Sequence, residues 1–242
     1  MGKAMEYTFY GDLLGIGSAY RLGANTAKEK LTAYYDVTFR VLDAFDEVEM
    51  FSDSLFIKGD DAAKAVVRIA RVFAILLDKG LLLRGAMVKG KLSFEPLITK
   101  QNFEKRLPDD DTLARAAGLE KMQKGARFLI ESELANDLLH NVPDWKSHDG
   151  YLRSINAAPA DSFLRRICPT PDSSSYEYLY YWSSDLPLDK YETAKKNLKD
   201  ILPMCGKATR EQYEETIALI ERCRHRHQIT IERISESRST IS

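Results

Sequence analysis

The segment YTFYGDLLGIG, residues 7–17, decides how this chain is read. Tyr7–Leu14 is an aromatic-rich, strand-forming run that ends in the glycines Gly15 and Gly17. An aspartate, Asp12, sits near its end among apolar neighbours. Its counterpart is MFSDSLFI, residues 50–57, where VEMF (about 48–51) and SLFI (54–57) flank Ser52-Asp53. Either two strands meet there at a tight turn, or Asp53 lies in the bend between them.

Between these runs the spacing predicts a helix from about Asn25 to Phe45. Leu31, Tyr34, Tyr35, Thr38, Leu42 and Phe45 share one face, and Asn25 or Thr26 caps it. GDD at 59–61 opens a second helix to about Asp78, with Val66, Ile69, Phe73, Leu76 and Leu77 as its apolar face and Gly80 closing it. LLLRGAMVKGKLSF, 81–94, reads as two strands around Gly90, and PLITKQNFEKRLPDDD, 96–111, as a polar excursion. Thr112 to Lys124 is a short Ala-rich helix, ARFLIES at 126–132 a strand, and a further helix runs to about His140. The order β-α-β-β-α-β, with additions, predicts an α+β fold of the ferredoxin-like split type: an antiparallel sheet with helices packed on one face.

After about residue 141 the composition changes. NVPDWKSHDGYLRSINAAPADS is loop-like and PTPDSSS, 169–175, is a turn and linker signal. YEYLYYW, 176–182, reads as a strand, followed by helices over about 188–202 and 208–228. The expected organisation is a first domain over 1–140 and a C-terminal extension over 141–242, with an aromatic strand and two helices, that packs on the same domain or at an interface.

The 242 residues suit one large domain. With 35 Lys plus Arg against 36 Asp plus Glu, the net charge of −1 argues against a protein that wraps nucleic acid. Cys168, Cys205 and Cys223 show neither zinc spacing nor pairing, which fits a reducing cytoplasm. No signal-peptide pattern and no apolar window of about 18 residues is present, so no membrane span is expected. His140, His148, His225 and His227 lack metal spacing, and the basic run RCRHRH, 222–227, reads as a solvated helix face.

The chemistry points to Asp12 and Asp53. A split topology places β1 beside the β2–β3 hairpin, so the two carboxylates meet at one end of adjacent strands. Paired carboxylates on a rigid sheet suit two divalent cations about 3.5–4 Å apart, as phosphoryl-transfer enzymes use. Magnesium or manganese fits, since both take oxygen ligands. The Leu14, Gly15 and Gly17 segment allows backbone N–H groups to approach a triphosphate. Against this stands the ordinary role of a strand-end aspartate as a turn former, and of glycines as turn punctuation.

The succession FYGDLLGIG, FSDSLFI, LRGAMVKGKL and DTLARAAGLE resembles, in its order, the class III nucleotidyl cyclases. The resemblance covers about residues 6–135. Its FSDS hairpin and LRGA strand look more like the stand-alone pyrimidine cyclases of bacterial Pycsar antiphage systems than like adenylate cyclases. It implies that Asp12 and Asp53 bind two Mn²⁺ or Mg²⁺ ions, with the backbone carbonyl of Leu13 as a further ligand. It implies in-line attack of a ribose 3′-hydroxyl on the α-phosphorus of a nucleoside triphosphate, UTP favoured, with pyrophosphate leaving. It implies a homodimer with the site between two sheets, and a cyclic UMP product that acts as an antiviral messenger on a separate effector.

One departure matters. The family carries an Asn and an Arg on the Ala-rich helix to stabilise the transition state, and this chain has Ala114 and Gly118 there. Arg84 is the candidate replacement, able to reach phosphate or base, and Arg115 is the alternative if the alignment slips. Glu49, four residues before Asp53, holds the position that reads the base. A carboxylate only accepts hydrogen bonds, so it suits guanine, uracil or cytosine better than adenine's N1. Phe9, Tyr10 and Phe51 are candidate walls of a small base pocket, with core packing as their alternative fate. Two rivals stand beside the pyrimidine reading: a cytidylate, guanylate or adenylate cyclase on the same fold, and a degenerate cyclase domain that binds nucleotide to regulate a partner.

Overall fold

The computed structural model describes residues 4–101, 103–141, 164–170, 173–181 and 187–239. β1 (Tyr7–Leu13) leads into α1 (Ile16–Leu22) and α2 (Ala24–Phe39). β2 (Glu47–Phe51) and β3 (Ser54–Gly59) form the hairpin, and α3 (Ala62–Asp78) returns to β4 (Leu83–Lys89). β5 (Phe94–Lys100) and β6 (Phe103–Pro108) precede α4 (Thr112–Glu120), β7 (Phe128–Glu131) and α5 (Ser132–Asn141). β8 (Leu164–Thr170), β9 (Ser173–Tyr178), α6 (Leu188–Ile201) and α7 (Lys207–Ser239) complete the described chain.

One seven-stranded sheet runs β2-β3-β1-β4-β7-β9-β8. β1 lies antiparallel between β3 and β4, with β2 antiparallel outside β3. This is the split βαββαβ order expected from the sequence. β7 then adds parallel to β4, and the β8–β9 hairpin adds antiparallel to β7. The C-terminal segment is thereby woven into the same sheet.

The period-2 pattern of β1 sorts its residues cleanly. Tyr7, Phe9 and Leu13 face the main core, packed against the apolar side of α3 (Val66, Ile69, Phe73, Leu76). Thr8, Tyr10 and Asp12 face the opposite side, where α4 lays Ala116 and Leu119 over Ala86, Val88 and Leu129. The sheet therefore carries helices on both faces, where one had been expected.

Some expectations change at the element ends. Ile16–Leu22 is already helical, and α2 is preceded by Gly23 with no side-chain cap, so neither Asn25 nor Thr26 caps it. Asp61 does cap α3, accepting from the Lys64 N–H. The polar stretch after β4 is a two-stranded hairpin, β5–β6, rather than an excursion. PTPDSSS joins two strands, with Thr170 ending β8 and Ser173 opening β9. The loop reading over 142–163, with His148 in it, and Trp182 lie outside the described residues.

RCRHRH is not a solvated face throughout. Cys223 and His227 are buried, and Arg222 donates to Glu177 at 3.0 Å. Glu177 is fully buried and also takes Arg127 at 2.5 Å, so the residue before β7 shares one ionic contact with β9 and α7. Tyr178, Leu179, Tyr180 and Tyr181 are all core.

Candidate active site

Register brings the two aspartates together. Asp12 pairs with Ser54 on β3 and with Arg84 on β4, so Ser54, Asp12 and Arg84 form one row across the sheet. Ser52 and Asp53 make the two-residue turn between β2 and β3, with Ser52 at a φ of 55°. Two bonds hold this turn against its neighbours. The Leu13 N–H donates to the Asp53 carbonyl at 2.9 Å, and the Tyr35 hydroxyl donates to the Ser52 carbonyl at 2.9 Å. Asp53 therefore stands at the end of β1, beside Asp12.

The charges at this end are uneven. Burial, then the nearby Asp53 and Glu120 carboxylates, push the Asp12 carboxyl from 3.8 up to about 6. Arg84 and a Ser54 hydroxyl contact at 3.4 Å oppose the shift only in part. Glu120, at the end of α4, is 1% exposed and accepts from Arg84 Nε. Tyr34, fully buried in the main core, lies close enough to feel both carboxylates, and its hydroxyl has no hydrogen-bond partner among the described residues. Its pKa is raised by burial and by the charges of Asp12 and Asp53.

These observations test whether a divalent cation suits the place. Among the described residues no cluster of three or more His, Cys, Asp or Glu side chains stands in a metal-holding arrangement. What the place offers is two carboxylates, with the Leu13 backbone held against the Asp53 turn beside them, and carboxylate oxygens are of the kind Mg²⁺ and Mn²⁺ take with water completing the shell. A carboxyl held at a raised pKa by a second carboxylate gains from a cation. An orphaned buried hydroxyl needs a partner that the protein does not supply. The residues fit the group.

The remaining predicted residues divide. Tyr10 lies on the Asp12 side of the sheet, its ring 5.1 Å from that of Phe56. Glu49 pairs in register with Phe56, so it occupies the same row as Tyr10. It is exposed and lies 3.6 Å from Lys58 Nζ. Phe51 ends β2 in the Asp12 row and is 81% exposed. Phe9 does not join them. It is fully buried on the opposite side, edge-on to Phe73 and Phe128, so it cannot wall a base pocket. Its ring occupies the space where a side chain at Gly11 or Gly85 would stand. The glycine after Arg84 is thus a packing requirement.

Ala114 and Gly118 lie four apart on the exposed side of α4 and offer no side-chain donor. Arg115 is not their substitute. It is committed to Glu131 at 2.6 Å, Asp111 at 2.9 Å and the Lys89 carbonyl at 3.0 Å. Arg84 is the cation in the Asp12 row, and Leu14, Gly15 and Gly17 line a cleft beside it. Sequence reasoning missed Tyr34 and Glu120. Tyr34 reads as one more apolar position of α2, and Glu120 as the polar end of a helix.

The sequence matches no family model, and no curated protein matches it. Solved structures do. An adenylate cyclase from Trypanosoma brucei aligns with a TM-score of 0.55 at 11% identity, covering 76% of this chain and 92% of that one. A bacterial light-regulated adenylyl cyclase aligns with a TM-score of 0.54 at 11% identity, covering 81% and 97%. The fold is that of class III nucleotidyl cyclase catalytic domains. Among the described residues, no helix is long and apolar enough to cross a membrane.

Proposed function

We infer that this chain is a nucleotidyl cyclase that converts a nucleoside triphosphate, UTP in preference, to a 3′,5′-cyclic monophosphate and pyrophosphate. The observation that carries the reading is the meeting of Asp12 and Asp53 at one end of adjacent strands, with the Tyr34 hydroxyl, unpartnered among the described residues, within reach of their charge.

Asp12, Asp53 and the Leu13 carbonyl would hold Mn²⁺ or Mg²⁺. Such ions, when bound, neutralise triphosphate charge and make a ribose 3′-hydroxyl easier to deprotonate. The protein's own groups position the reactants. Arg84, pinned through Nε to Glu120, presents its remaining N–H groups from a fixed place beside Asp12. The backbone at Gly15 and Gly17 gives the polyphosphate a close approach. Tyr10 and Phe56 form an aromatic surface on the site side of the sheet. Glu49, kept beside the Lys58 ammonium, accepts from uracil N3–H. The 3′-oxygen passes its proton to water as its bond to the α-phosphorus forms, and the bond to pyrophosphate breaks in line.

The same reading takes the active form to be a cytoplasmic homodimer and its product a messenger for a separate effector, with Glu49, Phe51 and the donor-free side of α4 exposed to meet a second copy. Residues 1–140 supply the metal-holding carboxylates, and the C-terminal extension works with them as one unit. Glu49 also suits guanine N1–H and N2–H or cytosine N4–H, so guanylate and cytidylate cyclase are the nearest rivals. The missing donors at Ala114 and Gly118 favour, as a second reading, a nucleotide-binding regulator without turnover.

The test is incubation of the pure chain with an equimolar mixture of ATP, GTP, CTP and UTP plus Mn²⁺, with products resolved by mass spectrometry. Cyclic UMP as the main product supports the reading. A cyclic purine product transfers the substrate to a rival, and nucleotide-dependent thermal stabilisation without product favours the regulator.

A further inference from the structure

The first turn of α7 closes over the end of the sheet where the Gly15–Gly17 segment lies. Between the two is a cleft of about 240 Å³, lined by Gly15, Gly17 and Arg21 from the start of the chain, by Arg84, and by Thr209 and Gln212 of α7. Its volume is below the roughly 300–1,000 Å³ that takes a whole drug-sized ligand, and suits a part of one. Two guanidinium groups line it and, among the described residues, no carboxylate does.

The polar groups of α7 in this cleft are arranged as donors. The Thr209 and Ser18 hydroxyls lie 3.2 Å apart and join α7 to α1. One of their two protons makes that bond, and the other is spare for an acceptor in the cleft. Gln212 accepts the Gly125 N–H through Oε1 at 2.6 Å, which fixes the amide and leaves its NH₂ as the donating end. Arg21 is exposed on the last turn of α1 and makes no ion pair among the described residues.

We propose that α7 supplies the outer wall of a subsite for the substrate's terminal phosphates and for pyrophosphate, with Arg21, Thr209 and Gln212 as its binding residues. The proposal deepens the cyclase reading and rests on it. The C-terminal helix, which no cyclase-like motif of the sequence reaches, then takes part in holding the leaving group. Neighbouring guanidinium and hydroxyl donors hold an anion in one orientation, which is what an in-line displacement requires.

The experiment is calorimetric titration of the full chain with inorganic tripolyphosphate in metal-free buffer, so that the protein's own donors are read without any cation. Wild type binds. Arg21→Ala and Thr209→Val each weaken binding by about tenfold, the loss expected for one charge-assisted contact, and Lys196→Ala, an exposed lysine on α6, leaves it unchanged. Arg21 is on the surface, so its variant folds even if Thr209→Val loosens α7. Absence of tripolyphosphate binding by wild type overturns the proposal, as does unchanged affinity in Arg21→Ala. A chain that makes no cyclic nucleotide yet binds tripolyphosphate through Arg21 and Thr209 keeps the subsite and loses the cyclase reading. A chain that cyclises UTP with KM unchanged in both variants keeps the cyclase and loses the subsite.

Discussion

Asp12→Asn stabilises the metal-free protein while removing its function. The wild-type carboxyl is raised from 3.8 to about 6, because it is half-buried next to Asp53 and Glu120. At about 1.4 kcal/mol per unit, keeping it ionised at neutral pH costs up to ~3 kcal/mol. Its partial exposure lets solvent screen those charges, which leaves about 1–2 kcal/mol. Asn keeps the shape and an acceptor for Ser54 but carries no charge. For a chain of this size that gain raises Tm by about 3–6 °C. The effect has a pH signature. The folded-state pKa lies above the unfolded one, so the penalty is complete above about pH 6 and gone below about pH 4, where both states are protonated. Melting curves in EDTA at pH 7.5 and pH 4.5 therefore show Asn clearly ahead at the first and much less so at the second. Added Mn²⁺ raises the wild-type Tm and leaves the variant's nearly unchanged. A variant no more stable than wild type at pH 7.5, or an advantage independent of pH, refutes the reasoning.

Four further outcomes are expected. Asp53→Ala lowers product formation more than about a hundredfold with its circular dichroism unchanged, since it removes charge-holding chemistry from a surface turn. Arg84→Ala strands the buried Glu120 carboxylate and costs about 3–5 kcal/mol in urea melts, which Glu120→Gln in the same chain largely restores without restoring turnover. Gly85→Ala forces a Cβ to within 2.5 Å of the Phe9 ring and 2.9 Å of the Tyr10 carbonyl, and lowers stability by about 1–3 kcal/mol or more in the same assay. Cys223, fully buried with its thiol pushed up to about 12, resists iodoacetamide at pH 8 until the protein is unfolded, whereas half-buried Cys205 reacts sooner; mass spectrometry of the labelled peptides reads both.

The parts legible in the sequence were those fixed locally. The run YTFYGDLL alternates with period 2, and α3 has a continuous apolar stripe with Asp61 at its cap, so the split βαββαβ order followed from pattern alone. Asp12 and Asp53 were found because each interrupts such a pattern. What escaped depends on contacts far apart in the chain. Phe9 and Tyr10 are adjacent aromatics, and only the strand's register tells which one faces α3. Tyr34 acquires its meaning from the charge of two carboxylates on other elements. Glu120 acquires its own from Arg84, 36 residues earlier. The β5–β6 hairpin was hidden because Pro96 and the charged run Glu104, Lys105 and Arg106 interrupt the strand signal of its sequence. In α7, RCRHRH places Cys223 and His227 inside and Arg224 and His225 outside, a helical alternation that a count of charges conceals.

The central claim is intramolecular displacement of pyrophosphate, and product stoichiometry tests it most directly. The pure chain is given UTP and Mn²⁺, phosphorus NMR follows the released phosphate species, and mass spectrometry follows the nucleotide. The account predicts one pyrophosphate for each cyclic UMP and no orthophosphate, with both signals lost in Asp53→Ala. Release of orthophosphate with UDP, or of pyrophosphate with linear UMP, would contradict it, because the attacking oxygen would then be water rather than the substrate's own 3′-hydroxyl.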